Sequence, residues 1–304
     1  MKGMRLAVLL DASMAELGHQ LDNLLGETGR CFVYDDPAHL SEALSTIHAD
    51  GYDCIGAAGD DALLARVCGA LPPDTTARVL PMPWGDGALF VSQDIGVGDD
   101  APALAKRFAT MSRRGSGLLG RGGALRDAPR ATLRVSLSSW RRPSIAFTVG
   151  IGAAGRGRDI SSLRARARVM TRSFMRDVKQ RMEGSNDALF SVRAVVDHQP
   201  FAERVAVAVV SSLQRGPLGL RISEQPWTRP GFGVLWSDLN LALTLGASRL
   251  PERLREAGVQ TRAAHHMNLD LMAPLAIDGL SVDENEPLAL GLRPGRVAPL
   301  VCIV

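Results

Sequence analysis

The chain has 304 residues, of which 46% are hydrophobic and 22% are charged, and this balance is typical of a folded globular protein. At roughly 150 residues per domain, the length predicts about two domains. The formal net charge of +3 gives no reason to expect a nucleic-acid-binding protein. The four cysteines form no CxxC pair, so we expect buried thiols in a reducing compartment rather than a zinc site or a disulfide scaffold.

The N-terminal third alternates short apolar runs with segments of helical periodicity. We predict strands over residues 5–10, 31–34, 54–58 and 79–83, and helices over residues 13–26, 38–49 and 61–70. The first apolar run is too short for the core of a signal peptide and is followed by Asp11, so we interpret it as a strand. The alternation of strands and helices predicts a doubly wound parallel sheet with helices on both faces.

The sequence changes character after about residue 112. Residues 113–123 are rich in Gly and Arg and are typical of a linker or a mobile loop. Beyond them we predict one long helix around residues 160–183 and many short strands, over residues 131–139, 145–149, 190–197, 203–212, 233–236, 239–245, 259–272, 274–278, 288–292 and 298–304. Many short strands separated by turns predict an antiparallel β-sandwich.

The sequence therefore predicts two domains of different class. We place an α/β domain with a doubly wound parallel sheet at residues 1–125 and an antiparallel β-sandwich domain at residues 126–304. The last strand is free to return to the first domain. We expect the active cleft to lie between the two domains.

Two glycine-rich loops follow strands of the predicted parallel sheet, at residues 56–62 and 83–88. The ligand crevice of a doubly wound sheet lies at the carboxyl ends of its strands, which is where these loops fall. Gly permits close backbone approach, and a helix N-terminus offers free N–H groups to a phosphate. The spacing alone fits a nucleotide site, but it fits a pair of ordinary tight turns between strand and helix at least as well.

Five short motifs occur in order along the chain: AGDDA at 58–62, PWGDG at 83–87, DIGV at 94–97, FTVGIG at 147–152 and IDG at 277–279. They resemble, in the same order, the GGDGT loop, the P-x-GTG loop, an LGI-like element, an F-N-x-x-x-x-G segment and the DGE motif of the diacylglycerol kinase catalytic family. That family includes bacterial lipid kinases, sphingosine kinases and ceramide kinases. The resemblance extends over nearly the whole chain.

The resemblance implies a phosphotransferase that uses ATP and a divalent cation, with Mg²⁺ as the expected ion and its ligands unassigned. It implies catalytic roles for Asp60 and for Asp278, the first as general base or metal organiser and the second as its acidic partner from the other domain. The implied nucleotide-binding residues are Ala58, Gly59, Asp61, Ala62, Gly85, Asp86 and Gly87. From the residues alone, Asp60 is also a good helix N-cap, and Asp278 before Gly279 also fits a type I′ hairpin turn.

Several positions depart from the family pattern. Asp61 and Ala62 replace the second Gly and the Thr of GGDGT, and the NE that follows is replaced at residues 64–65. The ND of the second loop is replaced at residues 88–89, and Leu280 replaces the acidic residue of DGE. These losses favour a catalytically degenerate member as the main alternative.

The predicted helix over residues 160–183 carries an apolar stripe beside a basic one. The basic residues are Arg168, Arg172, Arg176 and Lys179. One interpretation is a solvated surface on a packed helix. The other is a contact with anionic lipid, because each basic residue near such a membrane contributes about 1 kcal/mol.

Our leading hypothesis is a cytoplasmic ATP-dependent kinase that phosphorylates a hydroxyl of a diacylglycerol-, ceramide- or sphingoid-like lipid. It would act peripherally at the inner membrane surface, without nucleic acid, and a homodimer is left open. The alternatives are a lipid- or nucleotide-binding pseudokinase and a small-molecule kinase related to the NAD kinases, which share a GGDGT-type loop.

Overall fold

The structure is a computed structural model that describes residues 4–72, 75–113, 125–155, 190–205, 207–216, 221–237, 260–282 and 287–303. The predicted helix over 160–183, with its four basic residues, lies outside the described residues. The predicted strand over 239–245 and nearly all of the predicted linker over 113–123 lie outside them as well.

The chain divides into two compact units. The first comprises residues 1–85, 91–130 and 298–304, and the second comprises residues 86–90 and 131–297. The sequence analysis placed the boundary between residues 125 and 126, whereas the first unit of the structure continues to Arg130. The short segment 86–90 is also grouped with the second unit, which no periodicity in the sequence indicated.

The first unit is built on a parallel sheet with helices on both faces. Its strands are β1 (Leu6–Asp11), β2 (Gly29–Tyr34), β3 (Cys54–Gly59), β4 (Arg78–Pro83), β5 (Leu125–Asp127) and, from the end of the chain, β18 (Val301–Ile303). Its helices are α1 (Ala15–Leu25), α2 (Pro37–Ala49), α3 (Asp61–Ala70), α4 (Phe90–Ile95) and α5 (Ala101–Arg113), with 3₁₀ turns at Ala12–Met14 and Gly26–Thr28.

Strands β1 to β4 form one parallel sheet in the order β2-β1-β3-β4. Leu6, Val8 and Leu10 of β1 are completely buried in a cluster with apolar residues of α1 and α5, while α2 packs against α3. Because side chains alternate along a strand, Leu6, Val8 and Leu10 lie on one face of β1, and that face packs against α1 and α5. The predicted doubly wound sheet is confirmed.

The end of the chain completes the first unit. Strand β18 pairs antiparallel with β5, and Leu300 forms a parallel bridge with Val79 at the start of β4. Val301 and Cys302 are buried in the same core as β1 and α1. The last strand thus returns to the first unit.

The second unit is a sandwich of two six-stranded sheets, in the orders β10-β9-β14-β17-β6-β7 and β13-β12-β11-β8-β15-β16. The strands are β6 (Arg130–Leu137), β7 (Ser144–Ala146), β8 (Thr148–Gly152), β9 (Phe190–Val196), β10 (Gln199–Val205), β11 (Val207–Ser211), β12 (Phe232–Ser237), β13 (Gln260–Ala264), β14 (Met267–Leu271), β15 (Leu275–Ile277), β16 (Leu280–Val282) and β17 (Leu288–Ala298), with a 3₁₀ turn at Ala153–Gly155. Buried residues of both sheets form one core. Pairs such as β14–β17 and β11–β12 run antiparallel, as the sequence predicted.

Three predicted strands are interrupted in the structure. Residues 145–149 and 203–212 each contain parts of two strands, and residues 259–272 contain both β13 and β14. The last interruption is a change of sheet, because β13 pairs with β12 and β14 pairs with β9 and β17 in the opposite layer. The amides of His265 and His266, at this corner, donate to the Asp197 carboxylate.

Candidate functional site

The four parallel strands end at the same edge of the sheet, which we call the carboxyl edge. Strand β1 ends at Asp11, β2 at Tyr34, β3 at Gly59 and β4 at Pro83. The strand order reverses between β1 and β3, because β2 lies on one side of β1 and β3 and β4 lie on the other. Doubly wound sheets bind their ligands at such a reversal, so the carboxyl edge is the candidate site.

Asp60 lies directly after β3 and is the N-cap of α3. Its backbone is extended, and its Oδ1 accepts a hydrogen bond of 3.0 Å from the backbone N–H of Leu63. The sequence offered a helix cap as one role for Asp60, and the structure contains that cap. The residue is half-buried, and the capping contact uses only Oδ1. Asp60 can therefore cap the helix and still present Oδ2 to a ligand.

Asp61 is in a different environment from its neighbour. Its side chain is only 1% exposed, and both carboxylate oxygens accept from the backbone N–H of Val91 at 3.2 Å. This contact ties the start of α3 to the first turn of α4. The resemblance implied a nucleotide-binding role for Asp61, but its carboxylate is turned into the protein.

The first glycine-rich loop is closely packed. Ala58, Gly59 and Ala62 are buried, and a Cβ at Gly59 would lie 2.8 Å from a methyl carbon of Leu63. The Gly59 carbonyl accepts from the backbone N–H of Trp84, which joins this loop to the end of β4. A side chain at residue 59 would therefore displace Leu63 from the first turn of α3.

The second glycine-rich loop is open by comparison. Gly85 is exposed, has a φ of +85° and has no atom within 4 Å of an added Cβ. Asp86 is exposed and Gly87 is half-buried. Glycine is favoured at this position because of its positive φ, since a side chain there would meet no neighbouring atom.

Asp278 lies in the second unit, at the turn between β15 and β16. Its φ is +48° and that of Gly279 is +82°, which is the backbone of the type I′ turn that the sequence offered as an alternative. The side chain is 2% exposed. Its Oδ1 accepts from the backbone N–H groups of Phe147 (2.9 Å) and Thr148 (2.8 Å) and from the Thr148 hydroxyl (3.2 Å). In the described structure the Asp278 carboxylate ties the β15–β16 hairpin to the start of β8. It is buried, so it is not exposed to a ligand in the way that the predicted catalytic role requires.

The turn at Asp278 also contacts the last residue of the second glycine-rich loop. A Cβ at Gly279 would lie 2.5 Å from the Cβ of Ala88, so this glycine permits a close approach. The IDG motif thus contacts the residue that follows the PWGDG motif, within the second unit. Leu280, where the family has an acidic residue, is 50% exposed.

Three further residues at the carboxyl edge were missed by the sequence analysis: Asp11, Tyr34 and Arg66. The Oδ1 of Asp11 accepts from the backbone N–H and the hydroxyl of Ser13, at 3.0 and 2.8 Å. These hydrogen bonds hold the pKa of Asp11 below its usual value; burial opposes them, and the Arg66 charge assists. The signal that could have found Asp11 and Tyr34 is their position, since each is the last residue of a parallel strand.

Comparison with known proteins bears on the fold. No family model matches the chain, and no curated protein matches its sequence. Three solved structures from Bacillus anthracis str. Sterne are similar over the full chain. A "putative diacylglycerol kinase" has a TM-score of 0.64 at 11% identity, covering 100% of this chain and 96% of that one.

A second "putative diacylglycerol kinase" has a TM-score of 0.61 at 10% identity, with 100% and 98% of the two chains covered. The third, a "diacylglycerol kinase", has a TM-score of 0.57 at 11% identity, with 100% and 97% covered. The chain has the fold of these three solved structures. The resemblance that the motifs indicated is confirmed at the level of the fold, which is what similarity at this identity shows.

Proposed function

We propose that the chain is an ATP-dependent kinase that phosphorylates a hydroxyl of a diacylglycerol-, ceramide- or sphingoid-like lipid. The observation that carries the proposal is the two-unit fold, which is shared over the full chain with the diacylglycerol kinases of Bacillus anthracis. The carboxyl edge supports it, because it offers a helix N-terminus at α3 beside the glycine-rich loop before Asp60.

Asp60 is the residue that we assign to the acceptor hydroxyl. Phosphoryl transfer requires an in-line nucleophile and a group that accepts the hydroxyl proton or orients the hydroxyl. Asp60 is fixed by its capping hydrogen bond and is half-buried, so its second oxygen has a defined position at the carboxyl edge. Asp278 is not part of this proposal, because backbone donors already occupy its carboxylate.

A divalent cation would neutralise charge on the transferred phosphoryl group. Among the described residues, no cluster of three His, Cys, Asp or Glu side chains could hold a metal ion unaided. Mg²⁺ is commonly held by one or two carboxylates together with the phosphates of the substrate. Asp60 and Asp11, at the ends of neighbouring strands, fit that kind of partial site.

The proposal requires access to a lipid. No helix in the described ranges is long and apolar enough to span a bilayer. We propose that the basic residues Arg168, Arg172, Arg176 and Lys179 contact anionic lipid at the inner membrane surface. Binding to anionic vesicles should then weaken as salt rises, and reversing the charges of Arg172 and Arg176 should weaken it further. Equal binding to neutral and anionic vesicles would contradict this contact.

A catalytically degenerate, nucleotide-binding protein is the second candidate. It is favoured by the buried and fully engaged carboxylate of Asp61 and by the replacements at Ala62, Ala65 and Leu280. The two candidates differ in turnover and not in fold.

The test is ATP consumption by the purified protein with diacylglycerol, ceramide and sphingoid bases, each with Mg²⁺, Mn²⁺ and Ca²⁺. The kinase proposal expects ATP-dependent phosphorylation of one lipid class, detected as a phospholipid product. Asp60→Asn is the matched control, because it keeps the cap and removes the charge. Absence of product with every lipid and every metal would reject the kinase in favour of the degenerate protein.

A further inference from the structure

The hydroxyl of Tyr34 is buried without a partner. Tyr34 is the last residue of β2, it is 3% exposed, and its Oη has no hydrogen bond within the described part of the chain. Folded proteins satisfy nearly all of their buried polar atoms, because each one left unpaired is costly. An unpaired phenol at the carboxyl edge of a doubly wound sheet therefore calls for a functional explanation.

Arg66 is the basic residue whose charge acts on the Tyr34 hydroxyl. It lies on α3, and its side chain turns back toward the start of the helix, where Nε donates to the Ala62 carbonyl at 3.3 Å. Burial raises the pKa of Tyr34, the Arg66 charge lowers it, and the charges of Asp11 and Asp60 raise it. Asp11 and Tyr34 are register partners at the ends of the neighbouring strands β1 and β2. Asp60 and the Arg66 side chain lie at the start of α3, directly after β3. The phenol, the guanidinium and the two carboxylates therefore lie at the same edge of the sheet.

The donors and acceptors of this group are complementary to a phosphorylated nucleoside. The Arg66 contact uses Nε, which leaves both terminal nitrogens to donate to a phosphate, and the Tyr34 hydroxyl is a second donor at the same edge of the sheet. The Ser13 and Leu63 contacts use Oδ1 of Asp11 and of Asp60, so each Oδ2 can accept from a hydroxyl or meet a cation. A bare phosphate would be repelled by the two carboxylates, whereas a nucleotide with its hydroxyls and cation can use all four groups.

We propose that Tyr34 and Arg66 form a phosphate-binding pair for a nucleoside triphosphate at the carboxyl edge. This inference rests on the proposed use of ATP, and it adds phosphate contacts from two residues that lie outside both glycine-rich loops. The Arg66 side chain contacts the first turn of α3, so the free N–H groups of that helix start can contribute to the same anion. Ligand binding then satisfies the Tyr34 hydroxyl, which the unliganded protein leaves unpaired.

The test compares the wild-type protein with Tyr34→Phe, Arg66→Gln and Tyr52→Phe by calorimetric titration of ATP, adenosine and tripolyphosphate, each with Mg²⁺ and without lipid. Tyr52→Phe is the matched control. Tyr52 is the second of the two tyrosines of the chain, it precedes β3 at the opposite edge of the sheet, and it packs against Arg5 and Phe32.

Tyr34→Phe should leave the thermal midpoint of the free protein unchanged or higher, because it removes an unpaired buried hydroxyl, and should weaken ATP binding about fivefold. Arg66→Gln should weaken ATP and tripolyphosphate at least about tenfold and leave adenosine within about twofold. Tyr52→Phe should match the wild type. A fall in the midpoint of Tyr34→Phe, together with unchanged ATP affinity, would overturn the inference.

Because no lipid is present, this test can fail separately from the kinase proposal. ATP binding that both variants leave unchanged would overturn the phosphate-binding pair and leave the kinase intact. Weakened binding in the variants, with no turnover of any lipid by the wild type, would support the pair and reject the kinase. A wild type that binds neither ATP nor tripolyphosphate would overturn both.

Discussion

At the scale of single residues, burial separates three aspartates that look interchangeable in the sequence. Asp60 is half-buried with one oxygen engaged, while Asp61 and Asp278 are at most 2% exposed and accept hydrogen bonds from backbone amides. A carboxylate that already accepts from fixed donors stabilises the structure at the expense of its availability to a substrate. Of these three, only Asp60 has a carboxylate oxygen available to the proposed acceptor hydroxyl.

Asp60→Asn tests the catalytic assignment. The amide oxygen still caps α3, so the free energy of unfolding should change by less than about 0.5 kcal/mol, while Asp60→Ala should lose about 1 kcal/mol with the cap. Lipid turnover by Asp60→Asn should fall about 100-fold or more, because the charged acceptor is lost. Wild-type turnover by this variant, measured as phosphorylated lipid, would show that another residue accepts the proton.

Asp278→Ala tests the structural assignment of the other candidate acid. The change leaves the backbone N–H groups of Phe147 and Thr148 without an acceptor and places Ala at a φ of +48°. The free energy of unfolding should therefore fall by about 3 kcal/mol or more. Asp278→Asn retains an acceptor oxygen and tolerates that φ, so about 1 kcal/mol should be lost. Urea denaturation of both variants measures the difference. Equal stability of the two would mean that these hydrogen bonds contribute little.

At the scale of elements, the first half of the fold was predictable from periodicity. The helix predicted over 61–70 has those bounds in the structure, because Asp60 is a strong N-cap and the apolar residues that follow have helical spacing. Helix α5 was missed although Leu104, Ala105 and Phe108 carry the same signal. The contact between Asp61 and Val91 could not be predicted, because it joins residues 30 positions apart whose types suggest no pairing.

A buried ion pair within the first unit joins Asp94 of α4 to Arg130. Arg130, the first residue of β6, donates from Nε to Asp94 at 2.7 Å, and the two side chains are 10% and 0% exposed. Arg130 also contacts the backbone carbonyl of Asp94. A surface pair of similar composition joins Arg78 to Asp127, whose side chains are 33% and 68% exposed.

Arg130→Met should therefore destabilise the protein by about 3 kcal/mol, because it leaves the buried Asp94 carboxylate without its guanidinium. The double variant Arg130→Met/Asp94→Leu should recover part of that loss, since both charges are then absent. Arg78→Met, which breaks the exposed pair, should cost about 0.5 kcal/mol. Thermal and urea unfolding distinguish these cases, and similar losses for Arg78→Met and Arg130→Met would refute the dependence on burial.

At the scale of the whole molecule, each unit has its own core and the chain passes between the units four times, after Gly85, Phe90, Arg130 and Val297. The alternation of elements predicted the two classes of domain. The alternation could not locate the four points where the chain crosses from one unit to the other. Each of these points depends on which hydrophobic core buries a residue and not on the local sequence periodicity. Segment 86–90 shows this, since Gly279 of the sandwich packs on Ala88 within it.

Residues 298–304 cross back into the first unit, and we expect that unit to depend on them for stability. Chain ends usually tolerate removal, but here Leu300, Val301 and Cys302 are at most 3% exposed, and the Pro299 and Leu300 carbonyls accept from Val79 and Ala128. Each buried apolar side chain contributes about 2 kcal/mol, so losing several of them approaches the 5–15 kcal/mol by which whole domains are stable.

Truncation after Val297 should therefore unfold the first unit selectively. Hydrogen exchange measured by mass spectrometry should show loss of protection in β1, β3 and β4, while β8 and β11 keep theirs, because no described residue of the sandwich core lies beyond Leu292. ATP binding should disappear together with the protection of the parallel sheet. Retained protection in β4 after truncation would show that the parallel sheet is stable without β18, and loss of protection in both units would show that they unfold as one cooperative structure.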